Sequence, residues 1–198
     1  MTREIEFLYD FGSPNAYMVH RAIEDMGDFT FRYVPVLLGG IFKATGNQSP
    51  MQAYSHIPAK RDYDMLEMRR FMARHDINNF AMNPNFPVNT LLMMRGAIAA
   101  ERLGCAEDYI EAMMAGMWEE GLALGDPEVW AGLLGKADLP VDALIAGAAD
   151  PENKAKLVAN TEHAVARGVF GIPSFFVADE LYFGKDRLRD VLEAAHND

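Results

Sequence analysis

The sequence predicts an α/β fold with the element order β-α-β, a long all-helical insertion, then β-β-α. Three observations carry that expectation. Two short runs rich in aromatic and aliphatic residues, 5–9 and 29–36, flank a helical stretch near the start. Residues 37–167 hold no convincing alternating run and instead repeat apolar residues at helical spacing. Two further short runs, 174–178 and 181–183, stand on either side of a tight turn and lead into a last helix. The chain has 198 residues, half of them hydrophobic and 24% charged, which suits a compact core rather than a disordered segment. The expected division is an α/β domain built from 1–36 and 168–198, with 37–167 as a helical insertion domain.

Taken in order, Ile5-Glu6-Phe7-Leu8-Tyr9 is the first strand. Ser13-Pro14 then opens a helix, the serine as N-cap and the proline at the first helical position. Ala16, Tyr17, His20 and Ile23 continue one face towards Met26, and Gly27-Asp28 breaks it. The strand at 29–36 follows, and a β-α-β crossover pairs its strands in parallel. In the insertion, Met65, Met68, Phe71 and Met72 share a helical face. So do Tyr109, Ile110, Met113, Met114 and Met117, and so do Leu157, Val158, Thr161, Ala164 and Val165. Residues 89–103 read as helix, the proline-rich 83–87 as a break, and Asp126-Pro127 and Asp150-Pro151 as helix starts. Near the end Asp179-Glu180 is the expected turn, and Gly184-Lys185-Asp186 leads into a helix carrying Leu188, Val191 and Leu192.

Composition narrows the functions. The net charge of -11 and a pI near 4.9 argue against nucleic acid and anionic membranes, which favour basic surfaces. No apolar run approaches the roughly 18 residues a membrane span needs, and Met1-Thr2-Arg3-Glu4-Ile5 carries no signal-peptide core, so the cytoplasm is the expected compartment. Cys105 is the sole cysteine, which rules out an internal disulfide or a cysteine metal cluster. It reads as a small apolar filler. His56, His75, His163 and His196 lack metal-ligand spacing, so no metal is expected. The thirteen methionines suit adaptable packing or a soft pocket wall. Trp118 and Trp130 read as packing in the insertion, Trp118 alternatively as the wall of a hydrophobic pocket, and Glu119 and Glu120 have no visible acid–base partner.

Two segments far apart carry the chemistry. Ser13 at a helix start is at least a cap, worth about 1 kcal/mol. The same geometry offers free N–H groups and partial positive charge, where a thiolate is stabilised and a hydroxyl donates a further hydrogen bond. Serine attacks only if a base activates it; no G-x-S-x-G elbow is present and His20 lies two turns along the helix. Ile172-Pro173 precedes a strand. A cis bond there would leave the Ile172 N–H and C=O free to pair with an extended peptide.

A helix-start residue facing a proline loop of this kind is the arrangement of thioredoxin-like folds. The chain resembles the glutathione-dependent family of 2-hydroxychromene-2-carboxylate isomerases and kappa-class glutathione transferases, relatives of the DsbA disulfide oxidoreductases. The resemblance runs over nearly the whole length in five ordered stretches: Asp10-Phe11-Gly12-Ser13-Pro14, residues 38–48, Phe86-Pro87-Val88-Asn89-Thr90, residues 168–173, and Gly184-Lys185-Asp186-Arg187-Leu188. It implies a thioredoxin-like fold with a helical insertion, usually as a homodimer, with glutathione as cofactor. It implies Ser13 as the catalytic residue that holds and activates the glutathione sulfur. Asn47, helped by Lys60 or Arg61, would bind the glycine end of the tripeptide. Ile172, before Pro173, would pair its backbone with the cysteinyl portion, and Lys185 and Asp186 would grip the γ-glutamyl end. A helix N-terminus suits a carboxylate, and Lys43, Lys60, Arg61 and Lys185 offer local positive charge. The chain departs from the family at Asn15, where an aromatic residue is common, and at Lys185, where a smaller polar residue is common.

The leading expectation is a glutathione-dependent isomerase acting on a small aromatic substrate. A kappa-like transferase acting on an electrophile uses the same residues. A non-redox peptide-binding or chaperone-like module is the reading of a different class. Disulfide exchange is the least favoured, because neither position of a dithiol pair is cysteine.

Overall fold

A computed structural model describes residues 4–24 and 26–196. Four strands form one mixed sheet in the order β2-β1-β3-β4: β1 is Ile5–Tyr9, β2 Phe31–Pro35, β3 Ser174–Val177 and β4 Glu180–Phe183. β1 runs parallel to β2, Ile5 opposite Phe31, because α1, Pro14–Ile23, makes the crossover between them. β1 pairs antiparallel with β3, Phe7 opposite Phe175, and their rings stack at 5.4 Å. These two central strands are almost wholly buried, as their near-continuous apolar sequences require. β2 begins at Phe31 rather than at residue 29, because the Phe29 amide is committed to a turn with the Met26 carbonyl. In the β3–β4 hairpin Val177 lies opposite Glu180, so the turn is Ala178-Asp179, one residue earlier than the sequence suggests, with Ala178 at φ 52°.

Eight helices fill the insertion: α2 Leu38–Thr45, α3 Pro50–Ala53, α4 Pro58–Arg74, α5 Leu91–Leu103, α6 Ala106–Trp118, α7 Pro127–Lys136, α8 Val141–Ala149 and α9 Pro151–Ala166. A 3-10 turn at Lys185–Arg187 leads into α10, Leu188–His196. The Asp126 and Asp150 side chains accept from the Glu128 and Glu152 amides, each capping a helix with proline at its first position. The α6 stripe is buried as its periodicity predicts. On α9, Val158 lies on the exposed side of the stripe. α4 buries Phe71 but leaves Met65 46% exposed; the helix packs on α1, and its first turns lie beyond the apolar core. Gly96 of α5 is required by close approach, since a Cβ there would meet the Tyr109 hydroxyl at 2.2 Å.

Polar contacts tie α6 and the residues after it to α1 and to the turn that follows β1. The Trp118 indole N–H donates to the Phe11 carbonyl at 2.9 Å. Arg21 of α1 makes a paired contact with Glu111 of α6, at 2.7 and 2.8 Å, and also binds Glu119. The Tyr17 hydroxyl donates to Glu119 at 2.9 Å, so Glu119 has two partners that the sequence did not disclose, and Glu120 pairs with Lys136. Among the described residues no helix is long and apolar enough to cross a membrane.

Candidate active site

The site begins where β1 runs out into the 10–13 turn. The Asp10 side chain accepts from the Gly12 amide at 2.8 Å and, through its other oxygen, from the Leu38 amide at 2.7 Å. The Thr90 hydroxyl is a third partner. Burial pushes the Asp10 carboxyl up, and these hydrogen bonds oppose the rise. One carboxylate therefore ties the turn to the starts of α2 and α5. Sequence reasoning passed over this role; the available signal was Asp-x-Gly, the pattern of an Asx turn.

Ser13 has extended backbone at φ -103° and caps α1, its oxygen accepting from the Ala16 amide at 3.2 Å. The same hydroxyl donates to the Ile172 carbonyl at 3.2 Å, across 159 positions of sequence. The Ile172-Pro173 bond is cis, as is Phe86-Pro87. Two further donors converge on this loop. The Asn47 side-chain amide donates to the Phe170 carbonyl at 2.8 Å, and the Gly184 amide to the Pro173 carbonyl at 2.9 Å. Within the loop, the Ser174 hydroxyl bonds the Gly171 carbonyl at 2.8 Å. Among the described residues the Ile172 N–H and the Asn15 N–H have no acceptor.

Ser13, Asn47, Ile172 and Pro173 thus come together directly, and Gly184 sets Lys185 and Asp186 beside them. Lys60 and Arg61 lie in the first turn of α4. Lys60 pairs with Asp64 and lies over the Tyr54 ring at 5.1 Å, and no hydrogen bond joins either residue to the loop. Lys185 is buried at the turn into α10. Its side chain is 5% exposed, with the ammonium 2.6 Å from Asp186 Oδ1 and 5.2 Å from the centre of the Phe71 ring. Asp186 keeps 56% of its side chain exposed.

The arrangement offers hydrogen-bond donors rather than a base. His20 is engaged by Tyr33 at 2.8 Å and Glu111 at 3.1 Å, so Ser13 has no imidazole to take its proton. His20, Glu24 and Glu111 converge, but Arg21 already supplies their counter-charge. Trp118 is fully buried beneath the turn; the half-buried rings of Phe80 and Phe86 lie against it, at 6.0 and 5.9 Å, and they, not the indole, present an apolar wall. Donors at a helix N-terminus beside an open backbone edge can hold an anion together with an extended peptide.

A family model described as a DSBA-like thioredoxin domain matches residues 4–195. The 2-hydroxychromene-2-carboxylate isomerase of Sphingobium xenophagum is 27% identical over 199 residues, spanning 98% of each chain. The protein of the same name from Pseudomonas sp. (strain C18) is 28% identical over 192 residues, 93% of this chain and 86% of its own. A solved 2-hydroxychromene-2-carboxylate isomerase structure superposes with a TM-score of 0.81 at 24% identity, covering 96% of this chain and 93% of the other. A probable DsbA oxidoreductase from Streptomyces coelicolor superposes with a TM-score of 0.69 at 19% identity, over 98% and 88% of the two chains.

Proposed function

As the chain belongs to the DsbA-like thioredoxin domain family, we propose that it is a glutathione-dependent isomerase of the 2-hydroxychromene-2-carboxylate isomerase type. The observation that carries the reading is Ser13 itself. A hydroxyl, not a thiol, stands at the start of α1 and points at the Ile172 carbonyl. The one cysteine, Cys105, precedes α6 with its thiol pushed up by burial, which does not suit thiol chemistry. The reactive sulfur then has to arrive with a ligand. The relatives named for this isomerase, matched over 98% and 93% of this chain at 27% and 28% identity, support the substrate class.

The residues present fit glutathione. The unpaired Ile172 N–H is what a peptide backbone at the cysteinyl position requires. Asp186 keeps a half-exposed carboxylate for the α-ammonium of the γ-glutamyl end. Asn47, with Lys60 or Arg61, would serve the glycine carboxylate. Bound there, glutathione would supply a thiolate able to add reversibly to a conjugated aromatic acid. Ser13 would turn its hydroxyl from the Ile172 carbonyl towards the sulfur and stabilise its charge, aided by the Asn15 N–H and the positive end of α1. Phe80 and Phe86 would hold the aromatic body of the substrate and keep water from it.

The test is the absorbance change of 2-hydroxychromene-2-carboxylate on adding the protein, with and without reduced glutathione. Turnover that requires glutathione and returns it unconsumed supports the reading. A stable glutathione adduct points to the transferase instead. Binding of extended peptides without turnover points to the peptide-binding module, which the open Ile172 edge would also serve. The homodimer is part of the same proposal. The exposed side chains of Met51, Tyr54, Ile57 and Tyr63 offer an apolar surface for it, and light scattering should give twice the 22.1 kDa chain mass.

A further inference from the structure

Behind the turn that carries Lys185 and Asp186, a cavity of about 460 Å³ opens between α4 and α10. Its floor is apolar, formed by Phe71, Leu188 and Leu192. Its polar rim holds three cations, Arg74, Lys185 and Arg189, against one carboxylate, Asp186. That local excess of positive charge stands out in a chain of net charge -11. We infer that this cleft binds a small amphipathic carboxylate, with an aromatic or branched aliphatic body on the floor and its single carboxylate among Arg74, Lys185 and Arg189.

The cations are available for such a ligand. Arg74 is exposed and forms no ion pair among the described residues. Among the described residues Arg189 pairs with Glu193 alone, on its own helix, and with 83% and 59% exposure that contact is weak. Lys185 gives Asp186 one hydrogen bond, and an ammonium carries three donors. Its burial against Phe71 fixes it in place and removes the water that would screen it. Glu67, whose carboxyl also feels Lys185, is already held by Arg70. His75 lies on the rim with its ring 4.4 Å from Phe71. Burial and then Arg74 hold its imidazole below the ordinary value, so it adds an aromatic wall rather than charge. A hard inorganic anion would leave the apolar floor unused, and a neutral hydrocarbon would leave the cations unanswered.

The cleft shares Lys185 and Asp186 with the γ-glutamyl end of the glutathione reading, but no side-chain hydrogen bond joins its cations to Ser13 or to the loop at 170–173, so binding there can be read apart from binding at Ser13. The test is a titration of the purified protein with benzoate, followed by calorimetry and by amide shifts in heteronuclear NMR. Saturable binding is expected, with shifts centred on residues 71–75 and 185–192. It should weaken about tenfold in Arg74→Gln, the loss of one charge-assisted hydrogen bond, and should be unchanged in Ser13→Ala. Inorganic phosphate should bind about tenfold more weakly than benzoate, because it covers no apolar surface. The inference is overturned by the absence of saturation at about 10 mM benzoate, by equal affinity in Arg74→Gln, by equal affinity for phosphate, or by shifts confined to the loop at 170–173.

Discussion

The Ser13 hydroxyl and the Ile172 carbonyl meet at 3.2 Å, and this bond closes the cis-proline loop onto the start of α1. The hydroxyl oxygen accepts the Ala16 amide while its proton goes to Ile172. A bound sulfur offers that proton a charged acceptor, which makes the stronger hydrogen bond. Ser13→Ala should therefore raise the pKa of bound glutathione thiol and slow turnover, with tripeptide affinity kept within a few fold. The lost cap should cost about 1 kcal/mol of stability. Thiolate absorbance against pH, read beside turnover, checks this; unchanged kinetics would reduce Ser13 to a cap.

The second prediction concerns how the insertion holds the active turn. Trp118 Nε1 donates to the Phe11 carbonyl, and both residues are fully buried. Trp118→Phe keeps an aromatic ring but leaves that carbonyl unpaired. Denaturant unfolding should show a loss of about 1–3 kcal/mol. A midpoint equal to that of the parent protein would mean that the indole bond does not hold the turn.

The third concerns acid. Glu111 is held down to about 2, by its hydrogen bond to His20 and then by Arg21, from an ordinary value of 4.5. The folded state therefore binds fewer protons at this group than the unfolded state does. Its stabilisation is present above 4.5 and is lost as the pH falls through that window towards 2. The side chain is 49% exposed, so screening limits the effect to about 1 kcal/mol. Glu111→Gln should be less stable than the parent at pH 7 and converge with it near pH 2. A stability difference that stays constant across the acid range would contradict this coupling.

Much of the fold could be read locally. Strand β1, the Ser13 cap and the starts of α7 and α9 depend on residues within one turn of each other, as the Asp126 and Asp150 caps illustrate. The pairing of Ser13 with the Ile172 loop was legible because two recognisable segments each signalled half of it. Contacts between segments with no such mark were not legible. Asp10 joins Gly12, Leu38 and Thr90, and Glu119 meets Tyr17 from 102 positions away. Neither pattern leaves a periodic trace. The burial of Lys185 leaves no local mark either, since only the packing of α4 places Phe71 beneath it.

The central claim is that Ser13 serves a thiolate brought in by glutathione, and calorimetric titration of the purified protein with reduced glutathione tests it most directly. The account predicts saturable binding, weakened about tenfold in Asp186→Asn by the loss of one charge-assisted contact. No heat of binding at millimolar glutathione would contradict it and would leave a peptide-holding function for the open edge at Ile172.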